Sequence, residues 1–280
     1  NKEMAKADSM YKHLKNEYRS IYGDSSKQYS RALQNLAIFY DSWEKFALAE
    51  PLYLQVIKID NTLYGSNHEN SINNLIWLAD SYREASQYDK TDSVNNIVLE
   101  AILKKYGTYH LETAKEYDRQ ALWAAEMGMY TKSVQYYIKS ATIIENVSGT
   151  NNLHYINSLL ELGKQYVFIE NFNMGELTYL KAANIVKNVY GEEHLEYAKP
   201  LEKLADIYKR IGQNTKAETF YLRSLELKKK FLGPAHPETA DTWTKLAEFY
   251  MDISKYSAAR ESLSSAMKIT NETIGKESEE

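Results

Sequence analysis

Residues 191–233, GEEHLEYAKPLEKLADIYKRIGQNTKAETFYLRSLELKKKFLG, open and close on glycines 42 residues apart. Two apolar stripes lie between them. Ala198, Leu201, Leu204, Ala205 and Tyr208 recur at the spacing of one helix face. Ala217, Tyr221, Ser224, Leu225 and Leu227 form a second such face further on. The polar segment around Gly212 separates the two, as a tight turn does. The stretch predicts a helical hairpin.

The rest of the chain repeats it. Gly23, Gly65, Gly107, Gly149, Gly191, Gly233 and Gly275 stand in register, so seven of the eleven glycines mark one position of a 42-residue period. Repetition at this length predicts a stacked array rather than separate globules. The expected organisation is a single array: six repeats at 23–64, 65–106, 107–148, 149–190, 191–232 and 233–274. Residues 1–22 form the second half of a truncated repeat, and 275–280 start a further one. A chain that starts on Asn and stops inside a repeat reads as a piece of a longer protein.

Counting from the glycine, position 15 is small in every repeat: Ala37, Ala79, Ala121, Gly163, Ala205, Ala247. Position 18 is Tyr40, Tyr82, Ala124, Tyr166, Tyr208, Tyr250. Position 27 is again mostly small and position 31 mostly tyrosine. Each repeat therefore predicts helix A over positions 7–20 and helix B over 24–39. The residue at position 22 (Ser86, Gly128, Gly212, Ser254) would turn the chain between them, and the position-1 glycine would form a left-handed cap after helix B. Small residues let two helix backbones approach, and a ring from the neighbour fills the remaining space. No hairpin can bury its stripes alone, so the hairpins must stack. Twenty of the 24 tyrosines fall at stripe positions 7, 18, 24, 31 and 42.

The pattern resembles the tetratricopeptide repeat, whose signature repeat five carries as Leu201, Leu204, Ala205, Tyr208, Ala217 and Tyr221. Its length and the Leu232-Gly233-Pro234-Ala235-His236-Pro237 stretch are similar to the 42-residue repeats of kinesin light chains. The resemblance implies an all-α, right-handed superhelical solenoid of antiparallel helix hairpins, with A helices lining a concave groove that holds a peptide or a partner's helix. It also implies a recognition module without chemistry of its own. Similar arrays occur beside caspase-like proteases and nucleotide-binding switch domains.

Composition agrees with a recognition role. The net charge of −4 removes the global attraction that nucleic acid or an anionic membrane would exert. No apolar run approaches a membrane span and no signal-peptide pattern opens the chain, so a cytoplasmic setting is expected. With no cysteine, thiolate chemistry is excluded. No phosphate loop, HisGluxxHis or GlyxSerxGly motif is present. His68, His110, His194 and His236 share position 4, but stacked repeats hold equivalent positions about 10 Å apart, too far for one metal ion. They are expected to cap helix starts. Lys228-Lys229-Lys230 suits the C-terminal end of a helix dipole. The sequence therefore predicts no enzyme, no cofactor and no metal.

The face of helix A opposite its apolar stripe is where recognition should be written. Positions 9 and 13 there carry Arg31 and Asn35, Asn73 and Trp77, Lys115 and Arg119, Asn157 and Glu161, Lys199 and Lys203, Asp241 and Lys245. Positions 16 and 20 are mostly acidic. Either the charges pair locally, as Lys203–Asp206 and Lys245–Glu248 could at i, i+3, or the first lane is a basic, amide-rich rail. Such a rail would bind an extended or acidic segment. Arg31, Asn35, Asn73, Trp77, Lys115, Arg119, Asn157, Lys199, Lys203 and Lys245 are the candidate contacts. The partner is a protein or peptide, or another domain of the same protein. The alternatives are a sensor segment controlling an effector domain, and a plain structural spacer.

One joint departs from the pattern. Thr91, Asn95, Gln120 and Ala124 replace signature residues where repeat two meets repeat three. Tyr117 and Trp123 could refill the volume; otherwise the joint is a hinge or docking notch near residues 88–126. Amide hydrogen exchange there is expected to be faster than in the neighbouring repeats, and uniform protection would remove the hinge.

Overall fold

The computed structural model describes residues 2–277, with side chains as far as Asn271. Among them the secondary structure is thirteen α-helices and no strand. These are α1 (Lys2–Tyr22), α2 (Lys27–Ser42), α3 (Phe46–Tyr64), α4 (Glu69–Glu84), α5 (Tyr88–Tyr106), α6 (Leu111–Glu126) and α7 (Tyr130–Ser148). Then follow α8 (Leu153–Phe168), α9 (Phe172–Tyr190), α10 (Leu195–Arg210), α11 (Asn214–Phe231), α12 (Pro237–Asp252) and α13 (Tyr256–Glu277). Even-numbered helices are the predicted A helices. The B helices run about three residues further than expected, up to the glycine. The chain forms two compact units, Asn1–Glu116 and Tyr117–Glu280, divided inside α6.

Local chemistry explains where helices start and stop. Four A helices begin on the position-4 histidine. His68, His110, His194 and His236 each accept, through Nδ1, the N–H two residues on, at 3.1–3.2 Å. Three of these rings also stack on the last tyrosine of the preceding helix, as Tyr64 does on His68 at 4.7 Å. The histidines are therefore caps. Among the described residues, no group of three or more His, Cys, Asp or Glu side chains is placed to hold a metal.

The left-handed cap sits elsewhere than expected. It follows the A helices, at Glu44, Ser86, Gly128, Glu170, Gly212 and Ser254, whose φ lies between +56° and +74°. The next residue's N–H reaches back to the position-18 carbonyl, as Gln87 does to Tyr82 at 2.8 Å, closing the helix end. After the B helices, Gly65, Gly107 and Gly191 combine φ of +82° to +93° with ψ of 155–175°. That extended, positive-φ region belongs to glycine almost alone. Gly275 lies inside α13 instead of capping it, and residues 278–280 of the further repeat lie outside the described residues.

Within each unit, consecutive helices pack on one another, as α2 does on α3 and α10 on α11, and Ala121 of α6 packs against Val134 and Tyr137 of α7. The first unit buries Leu36, Ala37, Tyr40, Ala49, Tyr53, Leu75, Leu78, Ala79 and Tyr82 in one cluster. In the second, Ala121, Val134, Tyr137, Leu162 and Tyr166 form a similar core. The position-18 rings do more than fill space. Tyr40 donates to Asp8 (2.6 Å), Tyr82 to Glu50 (2.7 Å), Tyr208 to Glu176 (2.6 Å) and Tyr250 to Glu218 (2.8 Å), always 32 residues back. Not all acidic residues therefore lie on idle solvated faces: position 28 holds the acceptor for the next hairpin's tyrosine. The clasp is missing in the middle of the chain, where Tyr166 meets Val134 at that position and Ala124 replaces the tyrosine. Tyr117 and Trp123 are both buried, and the Tyr117 ring lies 6.0 Å from that of Tyr136 on α7.

The two kinds of turn make opposite predictions. A Cβ on Gly65 meets nothing within 4 Å, so Gly65→Ala tests the backbone alone and should cost about 1–3 kcal/mol. Glu170→Gly relieves a side chain held at φ +56° and should stabilise by up to about 1 kcal/mol. Urea unfolding of both variants checks the signs.

Candidate ligand-binding clefts

Two polar clefts open along the A helices, one in each unit. In the first unit a cavity of about 320 Å³ is lined by Lys27, Arg31, Gln34, Asn70, Asn73 and Trp77, with Ser30, Asp60, Tyr64 and Asn74 behind them. Its floor is a buried polar network. Asp60, projecting from α3, accepts from Ser30 (2.7 Å) and from Asn74 (2.9 Å), and Asn74 accepts in turn from Gln34 (2.7 Å). Buried polar groups must be satisfied, so each anchors its neighbour. Above this floor Arg31 and Asn73 are exposed, and Trp77 shows 37% of its surface. The rim offers amides, a guanidinium and an indole, all able to grip a peptide backbone.

The second unit has a larger, charged cleft of about 450 Å³. Lys164, Lys203, Lys209, Arg210 and Lys245 line it, against Asp206 and Glu248, with the tyrosine rings of 179 and 221 and the apolar Val167 and Phe168. Five cations thus face two carboxylates. Lys164 lies 3.7 Å from Glu161 and Lys209 2.8 Å from Asp252. Asp206 accepts from the Tyr221 hydroxyl at 2.5 Å and stands 3.8 Å from Lys245. Lys203 and Arg210 have no ion-pair partner among the described residues.

A buried ion network supports this cleft from below. Glu202 is 8% exposed and Lys228 6%, and they pair at 2.7 Å. Lys245 pairs with the other Glu202 oxygen, and Thr242 donates to Glu202 at 3.1 Å. Burial alone would raise the Glu202 carboxyl. The charges of Lys228 and then Lys245 outweigh it and hold the carboxyl at about 2. Lys228 is therefore a core ion and more than a dipole-favoured tail of α11. Lys245 turns to Glu202 and Asp206, one repeat back, instead of to Glu248.

The ten sequence candidates divide accordingly. Arg31, Asn73 and Trp77 meet in the first cleft, Lys203 and Lys245 in the second. Asn35, Lys115, Arg119, Asn157 and Lys199 line neither. Lys115 and Lys199 are taken by Glu112 (2.6 Å) and Glu196 (3.2 Å), three residues earlier on the same helix and not among the pairs that the local-pairing alternative named. Sequence reasoning missed Lys209 and Arg210 at the helix end, and the buried Asp60, Glu202 and Lys228. The signal for the last group was a charge inside an apolar stripe: Asp60 and Lys228 share position 38, where repeats two to four carry Ile102, Ile144 and Val186.

Glu202 gains stability from being charged, so its contribution is full above its unfolded range near pH 4 and disappears as the pH falls through about 2. Glu202→Leu leaves Lys228 buried without its carboxylate and should cost about 3–5 kcal/mol at pH 7, while adding Lys228→Met should recover most of that. Equal losses in the single and double variants, by urea unfolding, would show that the pair is not the cause.

Comparison with known proteins supports the repeat. Models of the tetratricopeptide repeat match residues 30–63, 169–230 and 198–272. No curated protein sequence matches the chain. Among solved structures, BtubC (BKLC) from P. vanneervenii superposes with a TM-score of 0.65 at 15% identity, over 82% of this chain and 92% of that one. A putative kinesin light chain from Podospora anserina, with nearly identical TPR-like repeats, gives 0.59 at 18% identity, over 71% and 95%. The quorum sensor NprR of B. thuringiensis, in its apo form, gives 0.54 at 17% identity, over 86% and 65%. At these identities the likeness is one of fold. With the seven-fold glycine register, the paired A and B helices and the matched repeat models together, the chain is a tetratricopeptide-repeat array with a 42-residue period.

Proposed function

We propose that the protein is a binding module that recognises a protein or peptide partner, holding an acidic, extended segment along its A helices. The observation that carries this reading is the cleft of the second unit. Five cations there face two carboxylates, and Lys203 and Arg210 have no ion-pair partner among the described residues. Assembling like charges is unfavourable unless an anion joins them. Arg210 suits a carboxylate by its forked donors, and Val167 and Phe168 give the segment an apolar shelf. The first unit's cleft, taken by itself, offers amide and indole groups of Asn73, Gln34 and Trp77, which suit a backbone in extended form. No helix among the described residues is long and apolar enough to cross a membrane.

A sensor role within a larger protein is the second reading, and the fold shared with the quorum sensor NprR favours keeping it. Under that reading the same clefts would receive a signalling peptide or a domain in cis.

A fluorescent Glu-rich peptide tests the proposal. It should bind the wild type in a salt-dependent way, and Lys203→Glu with Arg210→Glu should lower the affinity tenfold or more. A matched Gln-rich peptide should bind weakly to both. Unchanged affinity in the double variant would sink the proposal.

A further inference from the structure

Position 7, in the first turn of each A helix, holds either a tyrosine or a small hydroxyl residue. Tyr29 and Tyr155 are buried there. Tyr29 packs in one cluster with Leu33, Leu52, Val56 and Ile59, and its hydroxyl accepts from Gln55 at 3.4 Å. The Tyr155 hydroxyl donates to Glu145 on α7 (2.9 Å) and accepts from Lys181 on α9 (2.6 Å). In that repeat the phenol bridges the gap between two consecutive B helices.

Repeat two has Ser71 at this position. Its side chain is buried and turned back to the Gly65 carbonyl at 3.0 Å, so position 7 of α4 sends no ring between α3 and α5. The surroundings have shrunk as well. The counterparts of Leu33, Leu52 and Ile59 are Leu75, Val94 and Ala101, two of them smaller. The counterparts of Glu145 and Lys181 are Asn61 and Ile97. All five line a cavity of about 490 Å³, with Leu75 on its floor and Ile97, half exposed, on its wall. Its lining therefore includes the counterparts of residues that surround Tyr29 and Tyr155 in their own repeats.

We propose that this cavity is a socket for a tyrosine side chain presented by a protein partner, on a surface separate from the A-helix clefts. Leu75, Val94 and Ala101 offer the ring the apolar contacts that Tyr29 receives in its own repeat. Asn61 stands where Glu145 takes the Tyr155 hydroxyl, and its amide can exchange a hydrogen bond with a phenol. An aromatic ring with one polar end matches a pocket whose apolar side chains meet the amides of Asn61 and Asn67, with Ser66, Glu100 and Lys104 also in its lining.

Methyl NMR of the whole chain titrated with N-acetyltyrosinamide tests this. Saturable shifts are expected at the Ile97, Val94 and Ala101 methyls, with weaker binding of N-acetylphenylalaninamide and none of N-acetylglycinamide. Ser71→Tyr should supply the missing ring from within, raise Tm and abolish those shifts. Should that ring not be accommodated, Ala101→Ile restores the bulk of Ile59 and should weaken binding at least fivefold. No saturable shift in the wild type, or undiminished binding in folded Ser71→Tyr or Ala101→Ile protein, would overturn the proposal. A concentration-dependent dimer dissolved by Ser71→Tyr would assign the socket to a second copy and overturn the partner.

Discussion

A phenol ring laid on an alanine or glycine of the adjoining helix is the contact on which this structure depends. Tyr179 lies so close on Gly163 that a methyl group there would collide with its ring. Tyr53, Tyr179 and Tyr221 are among the largest side chains that are fully buried. The ring supplies apolar area, and the small residue lets the backbones approach. The hydroxyl must then find a partner, because a buried polar group without one is costly. Tyr53 reaches Asp41 and Tyr221 reaches Asp206, while the position-18 rings reach an acid on the preceding helix. The packing contact thereby acquires a direction and a register. Burial and the neighbouring Glu218 push the Tyr250 hydroxyl up to about 12, so it stays a donor throughout the neutral range.

The same logic produces the clefts. A stripe position that takes a polar residue must be compensated, and the compensation recruits side chains from adjacent helices. Asp60 recruits Ser30 and Asn74; Lys228 recruits Glu202 and Thr242. These networks fix the floor above which Arg31 and Asn73, or Lys203 and Lys245, are displayed. The two units thus present different surfaces on one scaffold, amide-rich in the first and cationic in the second. The apolar cavity between α3 and α5 arises from the opposite change, a ring replaced by a serine.

Much of the fold was legible because a period survives averaging. Seven glycines in register, with small and aromatic positions following them, specify hairpins whatever the individual exceptions. The turn chemistry was legible only in part. Ser86 and Gly128 announce a turn, but Glu44 and Glu170 adopt the same positive φ with no local sign of it. The position-1 glycine looked like an ordinary left-handed cap, because one conserved residue type serves both conformations and only ψ separates them. About half of the candidate site was legible. Helical geometry placed Arg31, Asn73, Trp77, Lys203 and Lys245 on the face where the two clefts open, but could not show that Lys115 and Lys199 spend their charge on a neighbouring glutamate.

The sequence by itself determined the all-α hairpin array, its period and which face of each helix is apolar, since these follow from spacing along one chain. Tertiary structure decided which charges are neutralised, where cavities open and which acid accepts each tyrosine. Many of those outcomes depend on residues of different helices, such as Glu202 with Lys228, 26 positions on, and with Lys245, 43 positions on. Burial sets their energies, and burial is fixed only once the helices have packed.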